Sequence, residues 1–173
     1  ARPSGGIDMS SYNAAIGACG TAVQWSLCLV LLEQAEHELL KPCLIAYNTT
    51  ISAAGESRQW VVALDLLSKM HRSGRATQAP DTLTYNATIT ASLRGEQWAR
   101  SLELFQDMKA GRLVPSIISY NAVARACQVG THWVGALSIL TEFAESPGAQ
   151  SHHTGQPAMQ VFAIRACATA KHW

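Results

Sequence analysis

An asparagine follows a tyrosine at four places along this chain of 173 residues, and the pairs are almost evenly spaced. The pairs begin at Tyr12, Tyr47, Tyr85 and Tyr120, so that 35, 38 and 35 residues separate successive pairs. A carboxamide carries both hydrogen-bond donors and an acceptor. A row of such groups along one face of a folded chain can therefore bond to polar edges that repeat with the same rhythm, as the edges of nucleic-acid bases do.

Helix capping is the simplest alternative role for these asparagines, because Asn is a favoured N-cap residue. However, a hydroxyl residue precedes the Tyr-Asn pair in three copies, as Ser11, Thr84 and Ser119, whereas Ala46 precedes it in the other. This pattern predicts the cap at the hydroxyl residue and places the asparagine inside the first helical turn. Asn is a mediocre helix former there, so its recurrence favours a binding role.

Two helices per repeat are predicted around each pair. A tryptophan lies thirteen residues after each tyrosine, and Trp173 keeps this spacing if Gln160 replaces the tyrosine of a fifth copy. Small residues and isoleucines between Tyr and Trp predict helix A, and an apolar i, i+3, i+4, i+7 stripe after each Trp predicts helix B. Helix B ends at Gly or Pro signals, such as Lys41-Pro42. The predicted fold is all-α, a helical-hairpin repeat solenoid.

Buried roles are predicted for most other repeated residues. The four tyrosines lie beside the Ile-Ala stripe, so we expect them to pack in the core with their hydroxyls hydrogen-bonded. One helix A position accepts only small side chains, namely Cys19, Ala54, Ser92, Cys127 and Cys167. A position that takes Cys, Ala or Ser indicates packing and not a nucleophile.

A hairpin of about 35 residues that opens with Ser/Thr-Tyr-Asn resembles the pentatricopeptide repeat family. The segment DTLTYNATITASLRGEQWARSLELFQDMKAGRLVPS, residues 81 to 116, is the best copy. Leu is usual at the start of helix B in this family. The Trp at that position in this chain resembles a Trp-bearing variant of the repeat. The copies are predicted at 9–43, 44–81, 82–116 and 117–156, with the end of a preceding repeat at 1–8 and helix A of an incomplete repeat at 157–173. These bounds describe a piece of a longer array.

The resemblance implies that the fifth residue of each copy, together with the last one, selects an RNA base. The implied pairs are Asn13 with Cys43, Asn48 with Asp81, Asn86 with Ser116, and Asn121 with Gln156. The implied base-sandwiching residues, at the second position of each copy, are Ser10, Ile45, Leu83 and Ile118. The order of bases would be pyrimidine, uracil, cytosine and pyrimidine. The partner implied is single-stranded RNA, in a mitochondrion or plastid, with a role in RNA processing, stability, editing or translation.

Charge gives weak support for a polyanion partner, because only 14% of residues are charged and the net charge is +1. Arg125 and Arg165, at the same offset in successive copies, are possible phosphate contacts. Near neutrality suits the rival class better, a protein-binding scaffold that leaves the asparagine row unexplained.

Catalysis, metals and cofactors are not predicted. The five cysteines form no C-x-x-C pair, and the H-x-E and P-C-x-x-C motifs of a zinc deaminase do not occur. His37, His132, His152, His153 and His172 are expected to be solvated or to lie in turns. No apolar run is long enough to predict a membrane span.

Overall fold

The computed structural model describes residues 8–73 and 79–145, together with residues 161, 164, 165 and 168. Eight α-helices and no strands occur in residues 8–73 and 79–145, which confirms the all-α prediction. In chain order they are α1 (Met9–Thr21), α2 (Trp25–His37), α3 (Leu44–Glu56), α4 (Trp60–Ser73), α5 (Thr82–Arg94), α6 (Trp98–Ala110), α7 (Ile117–Val129) and α8 (Trp133–Glu145). Residues 161, 164, 165 and 168 are helical. Most of the predicted long loops, 75–79 and 146–156, and most of the fifth copy lie outside the described residues.

The helices stack in two layers. The odd-numbered helices, called A helices here, contact one another in order from α1 to α7. Each even-numbered B helix contacts its own A helix, and α2, α4 and α6 also contact the following one. Small residues allow the A helices to approach closely: a Cβ added to Gly55 would lie 2.9 Å from the Cβ of Ala91. Because neighbouring A helices pack this closely, the shallow grooves between them lie side by side on one face of the solenoid.

A three-residue turn with a left-handed residue joins each A helix to its B helix. The left-handed residues of these four turns are Val23, Arg58, Glu96 and Thr131. In the first turn, the Gln24 N–H donates to the Cys19 carbonyl at 2.9 Å and the Val23 N–H donates to the Gly20 carbonyl at 3.0 Å. This is the Schellman pattern, which satisfies the last carbonyls of the helix and reverses the chain within three residues.

The prediction that Ser11, Thr84 and Ser119 cap the A helices is wrong. The caps are Asp8, Asp81 and Ser116, each three residues earlier, and their side chains accept from the backbone N–H groups of Ser11, Thr84 and Ser119. Asp81 with Thr84, and Ser116 with Ser119, form reciprocal capping boxes. The asparagines therefore lie in the second turn, five residues beyond the cap, and not in the first.

The predicted packing of the tyrosines is confirmed. All four are buried, and each phenol hydroxyl bonds to a side chain near the end of a B helix. The partners are Glu38 for Tyr12, Glu36 for Tyr47, His71 for Tyr85 and Glu142 for Tyr120. Phe105 and Phe143 also pack edge to face against Tyr120. These contacts commit the tyrosines to the core and remove them as stacking platforms for a ligand.

Tryptophan at the start of a B helix packs against the turn of the next repeat. A Cβ added to Gly95 would lie 2.2 Å from Cδ1 of Trp60, and one added to Gly130 would lie 2.3 Å from Cδ2 of Trp98. Both glycines have negative φ as C-cap residues. They are therefore needed for the close approach of the indole and not for their backbone conformation.

Candidate nucleic-acid interface

Two open grooves lie side by side on the A-helix face. The larger, of about 450 Å³, is lined by residues of α1, α3 and α5, and the smaller, of about 220 Å³, by residues of α3, α5 and α7. Ile45, Asn48 and Leu83 line the first groove. Leu83, Asn86 and Ile118 line the second. In each groove the structure thus brings one predicted base-reading asparagine together with two predicted base-sandwiching residues, and Leu83 is shared.

The apolar residues of the grooves are exposed although they lie on core-forming helices. The exposed fractions of Ile45, Leu83 and Ile118 are 74%, 59% and 63%. A flat, weakly polar group entering either groove would therefore find an aliphatic side chain from each of two successive repeats. Ser10, the corresponding residue of α1, is also exposed, but it has a short polar side chain and does not line either groove.

Asn48 bonds to two residues of the following repeat. Its Nδ2 donates to Oδ1 of Asp81 at 3.4 Å, and its Oδ1 accepts from the hydroxyl of Thr84 at 2.7 Å. The side chain is only 7% exposed and lies at the floor of the first groove. The structure therefore brings the predicted pair of Asn48 and Asp81 into contact across the junction between two repeats.

Asn86 repeats this arrangement one repeat later. Its Nδ2 donates to the hydroxyl of Ser116 at 3.1 Å, and its Oδ1 accepts from the hydroxyl of Ser119 at 2.6 Å. The side chain is 6% exposed. The contact between Asn86 and Ser116 brings a second predicted pair together.

The outer two asparagines are held differently. Asn13, half-buried, accepts at 3.5 Å from the thiol of Cys43, which is a weak donor. Oδ1 of Asn121 is buried and has no hydrogen-bond partner within the described residues. Its predicted partner, Gln156, lies outside them. Base recognition by all four asparagines stays a prediction.

Thr84 and Ser119 are site residues that sequence reasoning missed. Both are fully buried, and both connect a capping box to the asparagine of the preceding repeat. The signal was present, because a carboxylate or hydroxyl residue lies three positions before Ser11, Thr84 and Ser119, which is capping-box spacing. What the sequence could not show is that the same hydroxyl would reach the repeat before it.

The charged residues that line the grooves are paired with each other. Glu56 and Arg94, which line the second groove, form an ion pair of 2.6 Å. Arg125 is exposed on α7 and has the same offset from its tyrosine as Ser52 and Thr90, which line the grooves. Arg165 is exposed in a helical stretch of the fifth copy. Contact of either arginine with phosphate stays a prediction.

The buried thiols are poor nucleophiles. Cys28 and Cys127 are fully buried, and desolvation raises the pKa of the Cys28 thiol and raises that of Cys127 to about 11. Because the thiolate is the reactive form, burial suppresses attack by either sulfur. Cys127, Ala54 and Ser92 occupy the predicted small-residue position and are all fully buried. Cys167 lies outside the described residues.

His132 and His37 have the positions that the sequence predicts for them, in a turn and in solvent. His132 precedes α8, accepts from the Gly135 N–H at 3.0 Å and stacks on Trp98, which places it in the predicted turn. His37 ends α2 and is exposed. No group of three side chains capable of holding a metal ion occurs in residues 8–73, 79–145 and the four described helical residues beyond. None of the described helices is long and apolar enough to cross a membrane.

Comparisons with known proteins agree with the repeat pattern. The family model described as "PPR repeat" matches residues 45–75, and the model described as "Pentatricopeptide repeat domain" matches residues 65–128. No curated protein matches the sequence significantly.

Solved structures of pentatricopeptide repeat proteins share the fold. The structure of the protein PPR10 from maize is 19% identical, with a TM-score of 0.68 over 93% of this chain and 21% of the other. The structure of PPR10 in complex with an 18-nt psaJ RNA element is 23% identical, with a TM-score of 0.70 over 98% of this chain and 26% of the other. This chain thus spans about a quarter of those proteins.

A second protein, of which a shorter chain was solved, gives the same result. The PPR domain of Arabidopsis thaliana protein-only RNase P 1 in complex with tRNA is 14% identical, with a TM-score of 0.75 over 94% of this chain and 84% of the other. The family models thus identify residues 45–128 as pentatricopeptide repeats, and the solved structures share the fold of the chain.

Proposed function

We propose that this chain binds single-stranded RNA on its A-helix face, with one base in each groove and a preference for pyrimidines. The observation that carries the proposal is the repetition of one groove design, in which a nearly buried asparagine lies with two exposed aliphatic side chains. Two similar grooves side by side suit a ligand that is itself a repeating chain of flat groups with polar edges.

The chemistry of each groove divides between the faces and the edge of a base. Ile45 and Leu83 would contact the two faces of a base in the first groove, and Leu83 and Ile118 would do so in the second. The carboxamide at the floor would bond to the base edge. The side chains of Asp81 and Ser116 then supply the difference between the grooves, for which the family resemblance implies uracil in the first and cytosine in the second.

Known complexes support the choice of ligand class. The solved relatives include PPR10 bound to an RNA element and a PPR domain bound to tRNA. The family resemblance extends the proposal to an organellar role in RNA processing, stability, editing or translation, without catalysis by this chain. The paired charges around the grooves favour a modest contribution from phosphate contacts, so the proposal places selectivity in the grooves.

The test is a fluorescence-anisotropy titration with short homopolymer RNAs of uracil, cytosine and adenine at near-physiological salt. We expect tighter binding of both pyrimidine strands. The double variant Asn48→Ala with Asn86→Ala should lose this preference, since both edge contacts disappear. The matched control, Gln34→Ala with Gln106→Ala, removes two exposed carboxamides from B helices and should change nothing.

Because both asparagines also bond to the next repeat, circular dichroism must show that each variant is folded at the assay temperature. Equal binding of all three strands by the wild-type chain would refute pyrimidine selectivity. A folded chain that binds none of them would refute RNA binding and favour a protein-binding solenoid.

A further inference from the structure

A hydroxyl group joins each base-reading carboxamide of the two grooves to the capping box of the next repeat. We propose that Thr84 and Ser119 are positioning residues that fix the orientation of the Asn48 and Asn86 carboxamides and so set base selectivity. The inference rests on the proposed function, because it assigns a role in recognition to residues that a base would not touch.

Only one orientation of the Asn48 carboxamide satisfies its neighbours. A carboxylate accepts hydrogen bonds and does not donate, so Asp81 must face the NH₂ group. The Thr84 hydroxyl lies 2.7 Å from Oδ1 of Asn48 and 2.8 Å from Oδ1 of Asp81, and it is the side-chain donor that Oδ1 of Asn48 faces. Turning the carboxamide over would set Oδ1 against the Asp81 carboxylate, and the Thr84 hydroxyl would then donate to Asp81 alone. Thr84 is fully buried, so water does not compete for its hydroxyl.

The Asn86 carboxamide faces two hydroxyls, which can each donate or accept. The Ser116 N–H donates to the Ser119 hydroxyl oxygen at 2.9 Å and occupies one of its two lone pairs. The Ser119 hydroxyl donates to Oδ1 of Asn86 at 2.6 Å, which is closer than the Ser116 hydroxyl at 3.2 Å. The capping box thus holds a short hydrogen-bond donor against the carboxamide of the preceding repeat. Ser116 accepts from Nδ2 on the other side.

The first repeat junction lacks this device. Ala46 occupies the position of Thr84 and Ser119 and has no hydroxyl, and Oδ1 of Asn13 accepts only at 3.5 Å from the Cys43 thiol. A weak donor at that distance leaves both orientations of the carboxamide close in energy. The structure thus assigns weaker base discrimination to Asn13 than to Asn48 or Asn86.

A fixed carboxamide helps recognition because it presents one N–H and one carbonyl lone pair in defined places before the base arrives. Without the hydroxyl, the group can turn to suit either a donor or an acceptor on the base edge. Affinity would then fall less than discrimination does. This separates a positioning role from a merely structural one.

The experiment compares the wild-type chain with Thr84→Val, which keeps the shape and removes the hydroxyl. Thr88→Val is the matched control, because Thr88 is equally buried one turn later but its hydroxyl donates only to the Thr84 carbonyl. Thr84→Ser restores the hydroxyl and should restore the wild-type result. Ala46→Ser installs a hydroxyl at the first junction.

Two measurements are made on each variant. In the RNA-free protein, the side-chain NH₂ resonances of Asn48 should shift and broaden in Thr84→Val and not in Thr88→Val. In the homopolymer titration, the ratio of uracil to cytosine affinity should fall roughly fivefold in Thr84→Val, the effect of one net hydrogen bond. Thr88→Val should leave the ratio unchanged, and Ala46→Ser should increase the preference for pyrimidine over adenine.

The two ideas fail separately. Selective binding that Thr84→Val leaves unchanged would overturn the positioning role and leave the proposed function standing. A folded wild-type chain that binds no RNA would refute the proposed function and, with it, the selectivity claim. Unchanged Asn48 resonances in Thr84→Val would overturn the positioning role whether or not RNA binds.

Discussion

Leu83 offers the sharpest test of the groove geometry, because it is the one apolar residue that lines both grooves. The substitution Leu83→Ala leaves both asparagines and their hydrogen bonds in place and removes one wall of each groove. Val61→Ala is the matched control, since Val61 has the same exposed fraction, 59%, but lies on the B helix α4. Neither truncation should lower the melting temperature appreciably, because each removes a mostly exposed side chain from a helix.

The expected loss follows from the number of bases that the side chain would touch. Contacts to the faces of a base contribute roughly 1–3 kcal/mol per base when they are aromatic, and an aliphatic wall on one face should contribute about 0.5–1 kcal/mol. Leu83 would contact a base in each of two grooves, so its truncation should cost about 1–2 kcal/mol. This corresponds to a loss of affinity of roughly five- to thirtyfold. Ile45→Ala and Ile118→Ala, which alter one groove each, should each cost about half of that free energy.

The assay is the same anisotropy titration, with a uracil and a cytosine homopolymer, on Leu83→Ala, Ile45→Ala, Ile118→Ala and Val61→Ala. The reasoning requires that the free-energy losses of the two isoleucine variants add up approximately to that of the leucine variant. Equal affinities for Leu83→Ala and Val61→Ala would refute it, since the shared wall would then carry no base. A loss in Leu83→Ala equal to that in one isoleucine variant, with no loss in the other, would show that only one groove is occupied.

Two further predictions concern packing and burial. Gly95→Ala should lower the free energy of unfolding by about 1–3 kcal/mol, because its Cβ would overlap Trp60, whereas Gly111→Ala, at the equivalent C-cap of α6, meets nothing closer than 3.4 Å and should be neutral in the same urea titration. If both variants have equal stability, the indole does not set the need for glycine. In the native chain at neutral pH, a maleimide should label the half-buried Cys19 and Cys43 before Cys28 and Cys127, whose raised pKa values and burial protect them. Peptide mapping by mass spectrometry would contradict this order if Cys127 reacted as fast as Cys43.

The sequence predicted correctly those features in which one residue type recurs because of its packing within a single helix. The helices follow from apolar spacing, and the packing of Tyr12 or Tyr85 follows from an aromatic ring placed on an apolar stripe beside small residues. Such patterns are repeated several times along the chain, so that each copy checks the others. The same regularity connected Asn48 with Asp81, and Asn86 with Ser116, through the family resemblance, and the structure places both pairs within hydrogen-bond distance.

The N-caps were predicted at the wrong residues because each repeat has two residues that could cap helix A. Thr84 and Asp81 are both good capping residues, and spacing within one repeat does not rank them. The choice is settled by the junction between repeats, where the Thr84 hydroxyl is needed at 2.7 Å from Asn48. A contact over 36 residues depends on how far apart two helices pack and how they are rotated. The spacing of residues within one helix gives neither the distance between two helices nor their rotation.

The closeness of the A helices connects the small residues of the sequence to the chemistry of the grooves. Gly55 of α3 meets Ala91 of α5 so closely that an added Cβ would lie only 2.9 Å from that of Ala91. This contact lies between the same two helices that carry Asn48 and Thr84. A larger side chain at Gly55 would push the helices apart and lengthen a hydrogen bond that is already at its normal distance, so the carboxamide would lose its fixed orientation. The small residues of helix A therefore determine not only whether the repeats stack but also how sharply each groove can distinguish one base edge from another.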